Sequence, residues 1–424
     1  MIRIFGDHDD KTIKQLDRCV SAVEGSRGVL CADGHPGYSA PIGGVMAYRE
    51  HVSPSGAGYD IGCGNKAVRT TLRADDLRPD LPRVMDEIVR NIEFGVGRSN
   101  EKRVDHPVLD AIREAEFAPQ RQLHGLAASQ LGTVGAGNHY CDLFEDEDGL
   151  VWIGVHFGSR GFGHRTASGF LALAEGKRFT DRGTDGEMES PPILFDVNTD
   201  LGRAYVAAMT LAGDYAYAGR DVVVDEIVRI LGTEVADEVH NHHNFIWRET
   251  HGGEEWWVVR KGATPAFPGQ RGFVGASMAE PAVILEGVDA GVSADALYST
   301  VHGAGRAMSR NAAAGRPRKR WVNNLRDDDT LYGSRDEALA VAGATKARSV
   351  RIREGGAIDF DAVRADLRRK GIELRGGAAD EAPGAYKRLS EVLSYHEGTV
   401  RILHTLTPLG VAMAGADTYD PYKD

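Results

Sequence analysis

Apolar residues recur along this chain at two spacings. In residues 81–92 (LPRVMDEIVRNI) they fall every three or four positions, which predicts an amphipathic helix. Residues 201–231 hold Ala, Val and Leu at the same spacing and predict one or two buried helices. Residues 390–406 (SEVLSYHEGTVRILHTL) predict another amphipathic helix. Residues 151–157 (VWIGVHF) and 256–260 (WWVVR) are short and rich in β-branched and aromatic side chains, so they read as strands. Between residues 29 and 48 short apolar runs alternate with glycine turns, which predicts strands joined by tight connections. Residues 175–192 and 311–334 are polar and turn-rich and read as surface excursions.

Composition narrows the class. The chain has 424 residues, 42% of them hydrophobic and 26% charged, as expected of a globular protein. A net charge of −12 argues against a surface coated for non-specific nucleic-acid binding, though not against a local basic cleft. The opening MIRIFGDHDDKTIKQLD is charged throughout, so no signal peptide is expected, and no apolar run is long enough to span a bilayer. The four cysteines are scattered and are read as reduced thiols of a cytoplasmic protein. The basic run RPRKR (316–320) is read as a solvated loop without a catalytic part.

One stretch, GYDIGCGN (58–65), sets Asp60 and Cys63 among three glycines. It reads either as a tight turn around a buried thiol or as half of a metal site. Four further stretches are built alike, namely GTVGAGNHY (132–140), VHFGSRGFGH (155–164), HNHHNF (240–245) and VHGAGRAMSR (301–310). Each sets a histidine beside Gly, Asn or Ser. Cysteine, histidine and aspartate together suit zinc, manganese or iron(II), and one thiolate can bridge two cations. The cluster HNHHNF is equally read as a turn cap, with at most one histidine needed as a ligand. In VHGAGR, small residues at Gly303, Ala304 and Gly305 let backbone amides approach a phosphate, and Arg306 can fork onto it. His302 is open to three readings: metal ligand, general acid, or nucleophile toward a nucleotidyl group. Asn138 is a neutral donor, while Arg160 and Lys261 are cations in glycine-flanked settings. A site built from pieces so far apart favours a single α+β domain over residues 1–424 rather than separable modules.

These stretches, with DGHPGYSAPIGGV (33–45), KGATPAFPGQ (261–270), GASM (275–278) and DEAPGAYK (380–387), resemble the RtcB family of RNA ligases. They run in one order along nearly the whole chain. The resemblance implies a single compact α+β domain with a deep metal-binding cleft, and an enzyme that joins an RNA 3′-phosphate or 2′,3′-cyclic phosphate to a 5′-hydroxyl, with GTP and two manganese ions. By position, Cys63 looks like the bridging ligand, His156 and His243 like its partners on one metal, and Asp60 and His139 like those on the other. His302 matches the histidine that carries the nucleotide. Asn138, Asp142, Ser277 and the 303–305 backbone resemble nucleotide contacts. Arg160, Lys261, Arg306 and Arg310 resemble residues that hold the RNA phosphate. RNA ends, GTP or another nucleotide, and an accessory activating protein are the implied partners, with no membrane.

The chain departs from the family pattern where a base is read. Asp142 stands for a glutamate one methylene longer, and Ala282 for a serine. Met413 or Ala414 falls where a lysine–glycine is expected, followed by an extra tail, ADTYDPYKD (416–424), in which Lys423 is a remote substitute. These departures imply relaxed choice of nucleotide. They also keep open two other readings: a metal-dependent phosphoesterase acting on RNA ends, and a non-catalytic binder of RNA ends.

Overall fold

A computed structural model describes residues 2–181, 183, 188–325, 330–416 and 418. Two sheets carry the fold, which is α+β as expected. The larger runs in the order Arg271–Val274, Ala282–Gly287, Val400–Gly415, Tyr140–Glu145, Leu150–Phe157, Gly64–Arg73, Val235–His242, with Glu373–Gly377 added in parallel beside Val400–Gly415. Its two end strands approach one another. The Phe273 amide donates to Asn241 Oδ1 at 3.2 Å and Arg271 pairs with Asp237, so the sheet curls almost into a barrel. The smaller sheet orders Ile2–Ile4, Arg27–His35, Ile42–Tyr48, Glu254–Lys261 and Asn244–His251.

The strands expected at 29–48, 151–157 and 256–260 and the helix at 81–92 are all present, the last as Leu81–Asn91. The apolar run at 201–231 forms one helix, Asp200–Leu231. Thr199 caps its start by accepting from the Gly202 amide, and Gly232, at φ 62°, ends it in the left-handed region. Over its 32 residues the helix serves two cores. Tyr205, Met209 and Tyr215 pack into one, Val223, Val224 and Ile227 into the other.

Two expectations fail. The helix expected at 390–406 stops after Leu389–Ser394, and the chain then turns through Gly398 at φ 83°. The strand Val400–Gly415 follows, because its residues pair on both sides within the curled sheet, and tertiary pairing overrides the local periodicity. The described residues of 311–334 also hold more regular structure than a surface excursion. After the short helix Arg310–Ala314, RPRKR lies in a strand, Arg316–Asn323, paired with Ala347–Glu354. The pairing partner lies a long loop away, which hides the hairpin from a local reading. The residues of 175–192 that are described are irregular and mostly exposed, as expected. Among the described residues no helix is long and apolar enough to cross a membrane. Lys423, the substitute base contact in the tail 416–424, lies outside the described residues.

Candidate active site

The loop GYDIGCGN lies where the curled sheet meets the long helix. Gly62 takes φ 69° and donates its amide to Asn244 O at 2.8 Å. A side chain at Gly64 would meet Asn241 O at 2.2 Å, because the neighbouring strand passes directly beside it. The glycines therefore let the loop fold tightly against the strands that carry the histidines. In register, Gly64 faces both Phe157 and His242. The His243 amide donates to Cys63 O at 2.8 Å.

This packing gathers two sets of possible metal donors that share one sulfur. Asp60, Cys63 and His139 form one, Cys63, His156 and His243 the other, with the ligand atoms of each set within 4.8 Å of one another. Cys63 Sγ lies 3.3 Å from His156 Nε2 and 3.8 Å from His139 Nε2. His139 Nε2 lies 3.0 Å from Asp60 Oδ2. Burial pushes the Asp60 carboxyl up, but the bond and charge of His139, helped by Cys63 and Arg160, bring it down to about 2. Burial first, then Asp60, push the Cys63 thiol well up, while burial and neighbouring imidazoles hold His156 and His243 neutral. Neutral imidazoles, a carboxylate and a thiol are what a borderline divalent cation takes up, and such a cation drives the thiol to thiolate. The donor set fits a metal pair.

Across the cleft stands His302. Its backbone amide donates to Asp33 Oδ2 at 2.9 Å, and its Nδ1 lies 2.6 Å from the same oxygen. Asp33 is fully buried; burial raises its pKa, but His302 outweighs that and holds it below the usual carboxylate range. An ionised Asp33 accepts the Nδ1 proton and leaves Nε2 as the free nitrogen. His302 and His243 rings lie 5.0 Å apart.

One cleft, about 290 Å³ in volume, is lined by both donor sets, His302 and the backbone of Gly303, Ala304 and Gly305. Asn138, Asp142, Ser277, Met413, Arg306 and Arg310 line it as well. Arg306 and Arg310 are held by the other wall: Arg306 donates to Asp380 O at 2.7 Å, and Arg310 Nε to Glu381 at 3.2 Å. Tyr386 bonds both Arg306 and Glu381. At the far end Asp142 Oδ1, Tyr140 Oη and Ser277 Oγ are buried without a partner among the described residues. Burial, only partly offset by the Ala412 amide, pushes the Asp142 carboxyl well up. Unpaired buried polar atoms are costly, so this end is built to meet a polar ligand.

Three expected residues lie off the cleft wall. Arg160, at φ 54°, donates to Gly95 O at 3.1 Å and Thr133 Oγ1 at 3.3 Å. Lys261 is buried, donates to Tyr38 O at 2.6 Å and Ala40 O at 3.1 Å, and is lowered to about 8 by burial. Ala282 packs in the core opposite Leu406.

Two residues behind the site are not evident from sequence. Asp33 is visible there only as part of a motif. Arg220, fully buried in the long helix, donates Nη1 to Gly62 O at 2.9 Å and Phe157 O at 2.6 Å. Its Nε reaches His240 Nε2 at 2.8 Å, and its Nη2 reaches His242 Nδ1 at 2.9 Å. Burial lowers the guanidinium to about 10, so it stays charged at neutral pH. A lone arginine in the apolar run YAYAGRDVVV is the signal that it holds something. Arg220 ties the Cys63 loop, the His156 strand and the His243 strand together. Arg220→Lys keeps the charge but cannot span all four acceptors. The variant is expected to bind a divalent transition metal about 10–100-fold more weakly, read by titration calorimetry. Unchanged affinity would show that the strands hold the donors without it.

A family model described as "RtcB: tRNA-splicing ligase RtcB" matches residues 18–123 and 110–348. The chain is 27% identical to the tRNA-splicing ligase RtcB of Thermococcus kodakarensis, over 95% of this chain and 91% of that protein. It is 28% identical to the RNA-splicing ligase RtcB of Escherichia coli K12 (88% and 86%) and 29% identical to that of Mycobacterium tuberculosis (89% and 94%).

Proposed function

We propose, from the premise that this chain belongs to the RtcB family, that it is an RNA ligase joining an RNA 3′-phosphate or 2′,3′-cyclic phosphate end to a 5′-hydroxyl end. The observation that carries the reading is geometric: two donor sets sharing Cys63 face a carboxylate-oriented histidine across one cleft. Asp60, Cys63 and His139 would hold one divalent ion and Cys63, His156 and His243 the other, with manganese the expected metal. Bound there, the pair supplies positive charge to phosphate oxygens.

The chain's own residues account for the rest. Asp33 keeps the proton on His302 Nδ1, so Nε2 presents its lone pair to the α-phosphorus of GTP. The new P–N bond forms as the P–O bond to pyrophosphate breaks. The backbone at Gly303–Gly305 leaves room for that phosphate, and Asn138 offers a neutral donor. An oxygen of the RNA 3′-phosphate then takes the nucleotidyl group and frees His302. A cyclic phosphate is first opened by water. The 5′-hydroxyl finally attacks the activated 3′-phosphate and expels GMP. Arg306 and Arg310 hold RNA phosphate on the cleft wall, while Arg160 and Lys261 support the loops behind it. RNA with a 3′-phosphate and a 5′-hydroxyl, incubated with GTP and manganese, is expected to be sealed. Opening of cyclic ends without sealing would make the protein a phosphoesterase, and binding without either reaction an RNA-end binder.

At the base end, Asp142 and Ser277 offer polar atoms, but Met413 offers none. Each missing partner costs about 1–3 kcal/mol, or roughly 5–150-fold in discrimination. ATP is therefore expected to form the protein adduct alongside GTP, within about 100-fold in kcat/KM. Strict GTP dependence in that assay would show that other residues read the base.

A further inference from the structure

The paired strands Arg316–Asn323 and Ala347–Glu354 are rich in basic residues on an acidic protein. Four of eight residues in Arg316–Asn323 are Arg or Lys, as are three of eight in Ala347–Glu354, against one acid, Glu354. That acid pairs with Arg320. On the opposite face Lys319 and Arg351 stand directly across from one another in register, both exposed, with no ion pair among the described residues. Like charges set opposite across a strand pair repel, so this face is built for an anion rather than for its own stability. Lys319 Nζ also lies 4.8 Å over the half-exposed ring of Trp321.

The hairpin's root joins the cleft. It follows directly on the helix Arg310–Ala314, whose first residue lines the cleft wall. Arg353 donates to Gly315 O at 2.8 Å and Asn311 Oδ1 at 3.3 Å, and the Ala357 amide to Ala312 O at 2.9 Å. Eight strand residues extend roughly 26 Å from that anchor, enough for several nucleotides.

We infer that this hairpin is a ribbon that binds the sugar-phosphate backbone of the RNA strand leaving the cleft past Arg310. The inference rests on the RNA-ligase reading of the cleft and adds a second contact surface, outside the reacting ends. Charge complementarity selects the occupant: a polyanion, with Trp321 available to stack on a base. The ribbon touches no reacting atom. Its effect therefore falls on RNA affinity and leaves nucleotide transfer to the protein intact.

The test is the triple variant Arg318→Gln, Lys319→Gln, Arg351→Gln, all exposed positions without a described ion pair. Four readouts are taken: adduct formation with GTP, sealing of short RNA fragments, sealing of long ones, and the salt dependence of long-RNA binding. Adduct formation and short-fragment sealing are expected at the parent level. KM for long RNA is expected to rise about 10–100-fold, and the slope of log K against log salt to fall by about 2. Parent-level KM and slope for long RNA would overturn the ribbon and leave the ligase reading standing. Loss of adduct formation or short-fragment sealing would also overturn it, by showing that these side chains serve the site or the fold. A parent protein that neither seals nor binds RNA would overturn the ligase reading and the ribbon with it.

Discussion

Cys63→Ala is expected to lose both metal ions together, and every phosphoryl transfer with them. The sulfur belongs to both donor sets, so its removal leaves each with two donors and no bridge. Two imidazoles, or one imidazole and one carboxylate, make an open pair that releases a divalent ion readily. Metal affinity should fall at least about 100-fold, and the stoichiometry by mass spectrometry or calorimetry should drop from two toward zero. The other cysteines supply the control. Cys19, Cys31 and Cys141 are buried free thiols outside both donor sets, and alanine at each should keep two ions per chain. A Cys63→Ala protein that still binds two manganese ions would remove the bridge from the account.

Asp33→Asn is expected to keep both metals and lose nucleotide transfer to the protein by about 10³–10⁴-fold. Asp33 is not a metal donor; it accepts from the backbone and imidazole of His302, and its charge fixes which ring nitrogen carries the proton. An amide can turn its NH₂ toward Nδ1, which moves the proton to Nε2 and removes the lone pair from the reacting side. The separation of effects is the informative part. Cys63→Ala loses metal and chemistry together, whereas Asp33→Asn loses chemistry alone. An Asp33→Asn protein that forms the adduct at the parent rate would show that His302 does not depend on this carboxylate.

The donor set is readable in the sequence because chemistry and backbone need coincide there. Gly64 beside Cys63 marks where the neighbouring strand passes too close for a side chain, Gly62 where the long helix does, and Gly158, two residues after His156, where the Asp60 carboxylate lies. What the sequence does not show is which distant residues stand behind them. Asp33 meets His302 across 269 positions. Arg220 reads as a stray charge until the long helix is seen to lie against Gly62 and Phe157. The strand Val400–Gly415 carries a helical spacing at its start, while its partners, Ala282–Gly287 and Tyr140–Glu145, lie far off in the chain. The hairpin is hidden in the same way: RPRKR shows its charge locally but not the strand it pairs with.

The most direct test of the central claim is to place the nucleotide on the chain. The protein is incubated with manganese and GTP labelled at the α-phosphate, without RNA, then denatured at alkaline pH and digested, and the labelled peptide is sequenced by mass spectrometry. The expected result is one acid-labile guanylyl group per chain, on His302, absent from His302→Ala and from metal-stripped protein. Label on another residue, or label persisting in His302→Ala, would contradict it.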